Sequence, residues 1–218
     1  MGDFNNDGFD DLVVGVPYED IGTVADAGAI HVLFGSVSGL KSGVNQMWYQ
    51  NLIVGGSSET GDRFGETVAV GDFNRDGYDD LAIGAPGEDI GTGTGVIVDA
   101  GAVNILLGSA SGLTAVGNQF WYENSPGFEP SAHTGDQFGL SLTSGDFNGD
   151  AYADLAIGIP TEDLFQVPDG GSVNVLYGSA NGLTASSRQV WNQYHPQIGV
   201  AEAGDRFGWS LASGDFNG

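Results

Sequence analysis

The chain has 218 residues, of which 38 are glycine and none cysteine, and its 29 Asp and Glu outweigh five Lys and Arg to give a formal net charge of −24. That charge repels nucleic-acid phosphates and anionic lipid, so no nucleic-acid partner and no membrane insertion are expected, and cations are the natural counter-species. Without cysteine there is no disulfide framework, no zinc–thiolate site and no thiol nucleophile.

Hydrophobic residues at 40% and charged residues at 16% describe a folded chain with material for a core, and the glycine content favours strands joined by tight turns over helices. The N-terminal residues Met1, Gly2, Asp3 and Phe4 supply neither a basic region nor an apolar stretch, so no signal peptide is expected in this chain. No run approaches the roughly 18 apolar residues of a membrane span. The sequence reads as a portion of a longer secreted or cell-surface parent.

Internal repetition governs the reading. The phrase Gly-Asp-Phe-Asn opens at Gly2, Gly71, Gly145 and Gly214, and its Asp recurs at 3, 72, 146 and 215, so that successive copies lie 69, 74 and 69 residues apart. The expected units are approximately 1–71, 72–145 and 146–218, three repeats cut inside an Asp-rich loop. Each unit carries the same signals in order. After the Asp-rich loop comes an apolar run ending in Gly-x-Pro, at 12–17, 81–86 and 155–160, which predicts a strand buried on both faces. A Glu-Asp pair and a polar loop lead to a second strand, at 28–35 and its counterparts from Gly101 and Gly171. A Gly-Ser-x-x-Gly-Leu turn precedes a third strand around Trp48, Trp121 and Trp191. Finally Gly-Asp-Arg/Gln-Phe-Gly, at 61–65, 135–139 and 204–208, introduces a strand that runs into the next Asp-rich loop.

Four strands per period make one propeller blade, so the fold class is all-β, a β-propeller of four-stranded blades with three repeats per chain; a β-sandwich is the alternative from strand count alone. Three blades are fewer than usually close a ring. A homodimer of six blades is expected, in which 207–213 of each chain completes the first blade of the other.

The Asp-rich loops have the form Asp-x-Asn-x-Asp-x-x-x-Asp. Candidate metal ligands are Asp3, Asn5, Asp7 and Asp11; Asp72, Asn74, Asp76 and Asp80; Asp146, Asn148, Asp150 and Asp154. The backbone carbonyls of Phe9, Tyr78 and Tyr152, at the seventh place, add one oxygen each. Carboxylates, an amide and a carbonyl at alternate positions of a tight loop suit calcium (Ca2+) better than magnesium, which demands rigid octahedral geometry. An EF-hand is excluded, because its twelfth-position Glu is replaced by Val14, Ile83 and Ile157. Ala151 stands where the other loops have Gly8 and Gly77, so the third site is expected to be the weakest. Asp215 and Asn217 repeat Asp3 and Asn5, and in the expected dimer the two segments compete for one loop.

These motifs resemble the FG-GAP repeats of the integrin α-subunit propeller and of bacterial secreted proteins. The likeness is carried by Phe64 and Gly65, Phe138 and Gly139, Phe207 and Gly208, the Asp loops, and Gly84, Ala85 and Pro86 with their variants at 15–17 and 158–160. What the resemblance implies is a β-propeller whose loops bind calcium between the first two strands of a blade, used in adhesion or ligand binding.

Catalysis is not expected. The Ser-Gly phrases at 35–39 and 108–112 do not fit a nucleophile elbow, and His31 is matched by Asn104 and Asn174 in the other copies. The pairs Glu19 and Asp20, Glu88 and Asp89, Glu162 and Asp163 recur, which favours holding loops between blades over acid–base work. Trp48, Trp121 and Trp191 recur likewise, which favours packing over sugar stacking. Arg63 and Arg206 are read as partners of neighbouring carboxylates. The unequal segments 87–99, 123–135 and 164–170 are the candidate surface for a protein or glycan ligand. The alternative is an accessory or carbohydrate-binding module of a secreted enzyme. Crowded loop carboxylates also predict that calcium raises thermal stability.

Overall fold

The computed structural model describes residues 1–43, 45–128, 131–196 and 198–216. Among these residues eleven strands form three antiparallel sheets. The first has three strands, β1 (Leu12–Val16), β2 (Ala29–Leu33) and β3 (Asn45–Trp48). The second runs in order β4 (Thr67–Gly71), β5 (Asp80–Ala85), β6 (Ala102–Leu107) and β7 (Thr114–Trp121). The third is β8 (Ser141–Gly145), β9 (Asp154–Ile159), β10 (Ser172–Tyr177) and β11 (Thr184–Trp191). Each sheet is an up-and-down meander of propeller-blade topology. In the second and third sheets the inner strand belongs, in sequence, to the end of the preceding repeat: β4 pairs with β5 from Thr67↔Gly84 to Gly71↔Asp80, and β8 with β9 from Ser141↔Gly158 to Gly145↔Asp154.

The sheets stack face to face, and alternation along the second strand of a blade feeds two different cores. Leu81, Ile83 and Ala85 of β5 pack with Phe4, Val32, Phe34 and Phe64 against the first sheet. Ala82, one residue out of phase, joins Phe73, Phe138, Leu155 and Ile157 against the third. An apolar run with no polar alternation is what a strand buried on both faces requires, and β5 and β9 are buried at every position. The expectation fails for β1, where Val14 is 40% exposed while its counterparts Ile83 and Ile157 are 0%. Among the described residues nothing covers that face of the first sheet.

The expected strand at 207–213 is also absent, since those residues adopt no strand conformation. A strand assignment needs a hydrogen-bonded neighbour, and this segment has none among the described residues. Its placement nonetheless copies that of β4 and β8. Ser144 Oγ donates to the Val70 carbonyl at 2.5 Å and Thr67 Oγ1 to Gly139 at 2.7 Å. One repeat further on, Ser213 Oγ donates to Ser144 at 2.5 Å and Ser141 Oγ to Gly208 at 2.5 Å.

Glycine is required where the Phe-Gly turn meets Gly-x-Pro. A Cβ on Gly84 would lie 2.3 Å from the Gly139 carbonyl, and one on Gly158 2.3 Å from that of Gly208. On its other side the same turn is tied to its own blade, Gly65 N–H donating to Gly84 O at 2.9 Å and Gly139 N–H to Gly158 O at 3.2 Å.

Polar clamps complete each seam between blades. Gln46 donates to the Leu113 carbonyl at 3.0 Å and accepts from its amide at 3.0 Å, and Gln119 does the same to Leu183 at 2.8 and 2.9 Å. At a second point Gln50 donates to the buried Glu88, and Asp62 lies close by. The equivalent position between the second and third blades holds Glu123 in place of Gln, against Glu162 and Asp136. At 88 and 162 the recurring Glu sits between blades, whereas Glu19 is exposed; the neighbouring Asp pins a loop, Asp89 Oδ1 accepting from Asp99 N–H at 2.8 Å and Asp163 Oδ1 from Asp169 N–H at 2.9 Å.

Burial pushes Glu88 up to about 8, with the charge of Asp62 adding to it. Burial likewise raises Glu123, with Glu162 and Asp136 adding to it. A carboxyl group with a raised folded-state pKa binds more protons folded than unfolded, so these groups take stability away as pH rises from about 5 to 9. Glu123→Gln restores the residue type found at 50 and 193. It is expected to stabilise the chain at pH 8 by about 1–3 kcal/mol, the cost of an uncompensated buried polar group, and to change little at pH 5; thermal unfolding at both pH values measures the difference.

Candidate metal loops

The three Asp-rich loops lie at the same end of their blades, leading into β1, β5 and β9, and they share one hydrogen-bond pattern. In the second, Asp72 Oδ1 accepts from Asp76 N–H at 3.1 Å and Oδ2 from Gly77 N–H at 3.0 Å. Asn74 Oδ1 also accepts from Asp76 N–H, at 2.9 Å, and Asp76 Oδ1 accepts from Tyr78 N–H at 3.0 Å. Asp3, Asn5, Asp7 and Phe9 repeat this at 2.8–3.1 Å, as do Asp146, Asn148, Asp150 and Tyr152 at 2.9–3.1 Å. These are Asx turns, in which a short side-chain oxygen stands in for a backbone acceptor.

The turn requires a left-handed residue at its sixth place, supplied by Gly8 (φ 86°), Gly77 (φ 91°) and, with the penalty of a Cβ, Ala151 (φ 71°). The fourth place is left-handed as well, with Asn6 at 52°, Arg75 at 58° and Gly149 at 78°.

The ninth-position carboxylates are placed differently. Asp11, Asp80 and Asp154 are each 0% exposed. Asp80 accepts from Phe73 N–H at 3.0 Å and from Gly108 N–H at 2.9 Å, tying the loop to the turn that follows β6. Asp11 makes the matching bonds from Phe4 and Gly35, and Asp154 from Phe147 and Gly178. Burial pushes Asp80 up to about 7 against the pull of those two amides, with Asp76 and Asp72 adding to the rise, and raises Asp11 and Asp154 in the same sense. At the exposed Asp146 slight desolvation is outweighed by amides of Ala151, Gly149 and Asp150, which hold its carboxyl below the usual range. Three loop carboxylates thus fall into two kinds, two on an open turn and one buried beneath it.

Among the described residues no three acidic or imidazole groups converge as a ready-made metal centre; the carboxylates are turned onto the loops' own amides. The donor chemistry fits a hard divalent cation all the same. Each loop gathers oxygen donors and negative charge, and among the described residues the only ion pair to a loop carboxylate is Lys41 to Asp7 at 3.5 Å. Within the chain, Asp215 lies in a cleft with Gly145, Asp146 and Phe147. Asn217 falls outside the described residues. The first loop is filled by its own chain, Gly2 bridging Asp11.

Neither Arg63 nor Arg206 makes an ion pair among the described residues; both have left-handed backbones, at 56° and 53°, and Arg206 lies over the Trp209 ring at 5.1 Å. Trp48 and Trp121 pack into the seams between blades. The seam glutamines at 46, 119 and 189, two residues before each Trp, escaped the sequence reading; aligning the repeats on that Trp brings them into register.

Sheets of blade topology carrying an acidic loop at one end define a β-propeller repeat protein. The FG-GAP repeat family matches residues 1–33, 64–103 and 138–176, and the chain belongs to that family. It is 36% identical over 160 residues to integrin alpha-PS5 of Drosophila melanogaster, covering 72% of this chain and 14% of that protein. It is 34% identical over 193 residues to phosphatidylinositol-glycan-specific phospholipase D of Bos taurus, covering 87% and 21%. Integrin alpha pat-2 of Caenorhabditis briggsae is 31% identical over 230 residues, covering 98% and 16%. The chain spans about a fifth or less of the length of these relatives.

The two kinds of loop carboxylate separate in a simple comparison. Asp76→Ala is expected to abolish the calcium response of its loop and leave stability in chelator within about 1 kcal/mol, as for an exposed side chain. Asp80→Ala is expected to cost about 2–4 kcal/mol in both conditions, because two backbone amides lose a buried acceptor. Chemical denaturation with calcium and with chelator reads both.

Proposed function

We propose that the chain is a calcium-binding β-propeller scaffold of an extracellular or cell-surface protein, which presents loops to a protein or glycan partner and has no catalytic role of its own. The observation that carries this reading is the threefold recurrence of one acidic turn whose charge the protein leaves unneutralised in the second and third loops. Asp3, Asn5 and Asp7, with their counterparts at 72, 74 and 76 and at 146, 148 and 150, would hold the ion. The carbonyls of Phe9, Tyr78 and Tyr152 would add a donor, and the buried Asp11, Asp80 and Asp154 would supply negative charge beneath it. The ion would neutralise like charges crowded on a tight turn and stabilise the folded state by mass action.

In an antiparallel meander, alternate loops fall at opposite ends of the sheet. The loops of unequal length therefore face away from the acidic turns, as a recognition surface would. At the seam of the first two blades a cleft of about 420 Å³ opens there, with Glu59, Glu88 and Asp89 beside Phe120 and Tyr122. Carboxylates next to aromatic rings suit a cationic side chain or a sugar. Similarity to proteins named as integrin α-subunits favours adhesion. Similarity to proteins named as phosphatidylinositol-glycan-specific phospholipases D favours a second reading, an accessory module beside a catalytic domain. The histidines give no support to catalysis by the chain itself: His31 is on β2, His133 faces Asp136 at 3.7 Å, and His195 stacks on Trp191 at 4.9 Å.

Titration calorimetry is expected to show calcium binding to all three loops, weakest at the third, with a rise in the thermal midpoint. Absence of both heat and stabilisation up to about 10 mM calcium, above the range of extracellular calcium modules, would overturn the scaffold reading. Hydrolysis of a glycosylphosphatidylinositol by the chain alone would overturn its non-catalytic part.

A further inference from the structure

The seam between the first two blades carries, at the end away from the acidic turns, a buried polar centre to which three separate segments contribute. Gln50 comes from the short turn Gln50–Leu52 that follows β3 of the first blade. Asp62 belongs to the Phe-Gly turn that leads into β4, and Glu88 to the loop that leaves β5 of the second blade. The three are 0%, 1% and 4% exposed. Gln50 Nε2 donates to Glu88 Oε2. Backbone packing brings Asp62 to the same place: Gly87 N–H donates to the Asp62 carbonyl at 3.1 Å, and a Cβ on Gly87 would lie 3.2 Å from Asp62 Cα. From the first blade Gly56 packs over Gln50, where a Cβ would lie 3.0 Å from Nε2.

Two acceptors of this centre are left over. Asp62 Oδ2 accepts from Glu59 N–H at 2.5 Å, but its Oδ1 is buried with no hydrogen-bond partner, and so is Gln50 Oε1, on the amide that touches Glu88. An unmet buried acceptor costs free energy, and more when it is charged. Among the described residues the recorded ion pairs are Lys41 with Asp7 and His133 with Asp136, so no counter-charge is supplied here. Burial pushes Asp62 up to about 7 and Glu88 up to about 8, and the charges of Glu59 and Asp89 add to both rises. The centre is open on one side only. Glu88, with Ser57, Glu59 and Asp89, lines the cleft of about 420 Å³ at this seam.

We propose that this seam takes a hard divalent cation between the two blades, at a site separate from the Asp-rich turns, with Asp62, Gln50 and Glu88 as its protein donors and water from the cleft completing its shell. Oxygen acceptors and negative charge that lack both a donor and a counter-ion are what such a cation satisfies. Two carboxylates and an amide leave several places to water, a donor set that admits magnesium as well as calcium. Gln50 belongs to one blade and Glu88 to the next, so the ion binds only where the blades stand together and stabilises their contact by mass action.

The triple variant Asp7→Ala, Asp76→Ala and Asp150→Ala takes one open carboxylate from each turn and leaves the seam intact. Titration calorimetry of this variant at pH 8, with calcium chloride and with magnesium chloride, is expected to show cation binding that survives. Adding Asp62→Asn, which keeps an acceptor for Glu59 N–H, is expected to remove one bound equivalent, and adding Glu88→Gln instead is expected to do the same. In chelator each of these two substitutions is expected to raise the thermal midpoint, because a buried like charge is gone, while the further rise on adding cation shrinks. A merely structural role would leave that cation response unchanged. The turns and the seam are read separately, since the first three substitutions act on the turns alone and the last two on the seam alone. No binding of either cation by the triple variant up to about 10 mM, above the range of extracellular calcium modules, or the same number of bound equivalents with and without Asp62 and Glu88, would overturn the proposal.

Discussion

The close approach of two glycine backbones fixes how these blades stack. The Phe-Gly turn that ends one repeat donates its N–H to Gly84 or Gly158 of the blade it enters, while its carbonyl presses on the Gly-x-Pro glycine of the blade before, where a Cβ would come within 2.1–2.3 Å of it. No side chain fits between the two. The phenylalanine of the same turn is 0% exposed at 64 and 138, so one short motif supplies the polar tie, the steric limit and an apolar anchor. The two halves of the motif lie in different repeats, and their contact exists only when blades stand side by side.

Everything else follows from that spacing. Sheets held at a fixed separation must fill the space on both faces, and this is why β5 and β9 are apolar after their leading Asp80 and Asp154, and why even Asn104 of β6 and Asn174 of β10 are buried. The seam at Glu123 shows the limit of the scheme. Three acidic groups, Glu123, Asp136 and Glu162, share a place where the other seam has Gln50 with Asp62 and Glu88. A propeller can carry one such seam because its blades are stabilised pairwise, so the cost stays local.

Much of this was legible from the repeats alone. Aligning Asp3, Asp72 and Asp146 set the period, the strand order and the offset by which each blade borrows its inner strand. Three features were not legible. Exposure of Val14 depends on which neighbour covers β1, and the residues 207–213 read as a strand because their pattern is that of β4 and β8; pattern describes what a segment can pair with, and pairing requires the other strand to be there. The division of the loop carboxylates was hidden for a different reason. Asp76 and Asp80 are the same residue type at ligand-like spacing, and only the three-dimensional position of Gly108 N–H distinguishes a buried tie from an open donor.

That tie reaches further than the loop. Asp80 grips Gly108, the next residue, Ser109, is bonded to Phe4 of the adjoining blade, and Leu113 at the end of the same turn is held by Gln46. The acidic turn, the hairpin turn and the seam are thus one mechanical linkage only a few residues long. A cation seated on the turn would stiffen the hinge between neighbouring blades as well as its own hairpin, so the ambient concentration of that cation would set how far the stack yields when it is pulled.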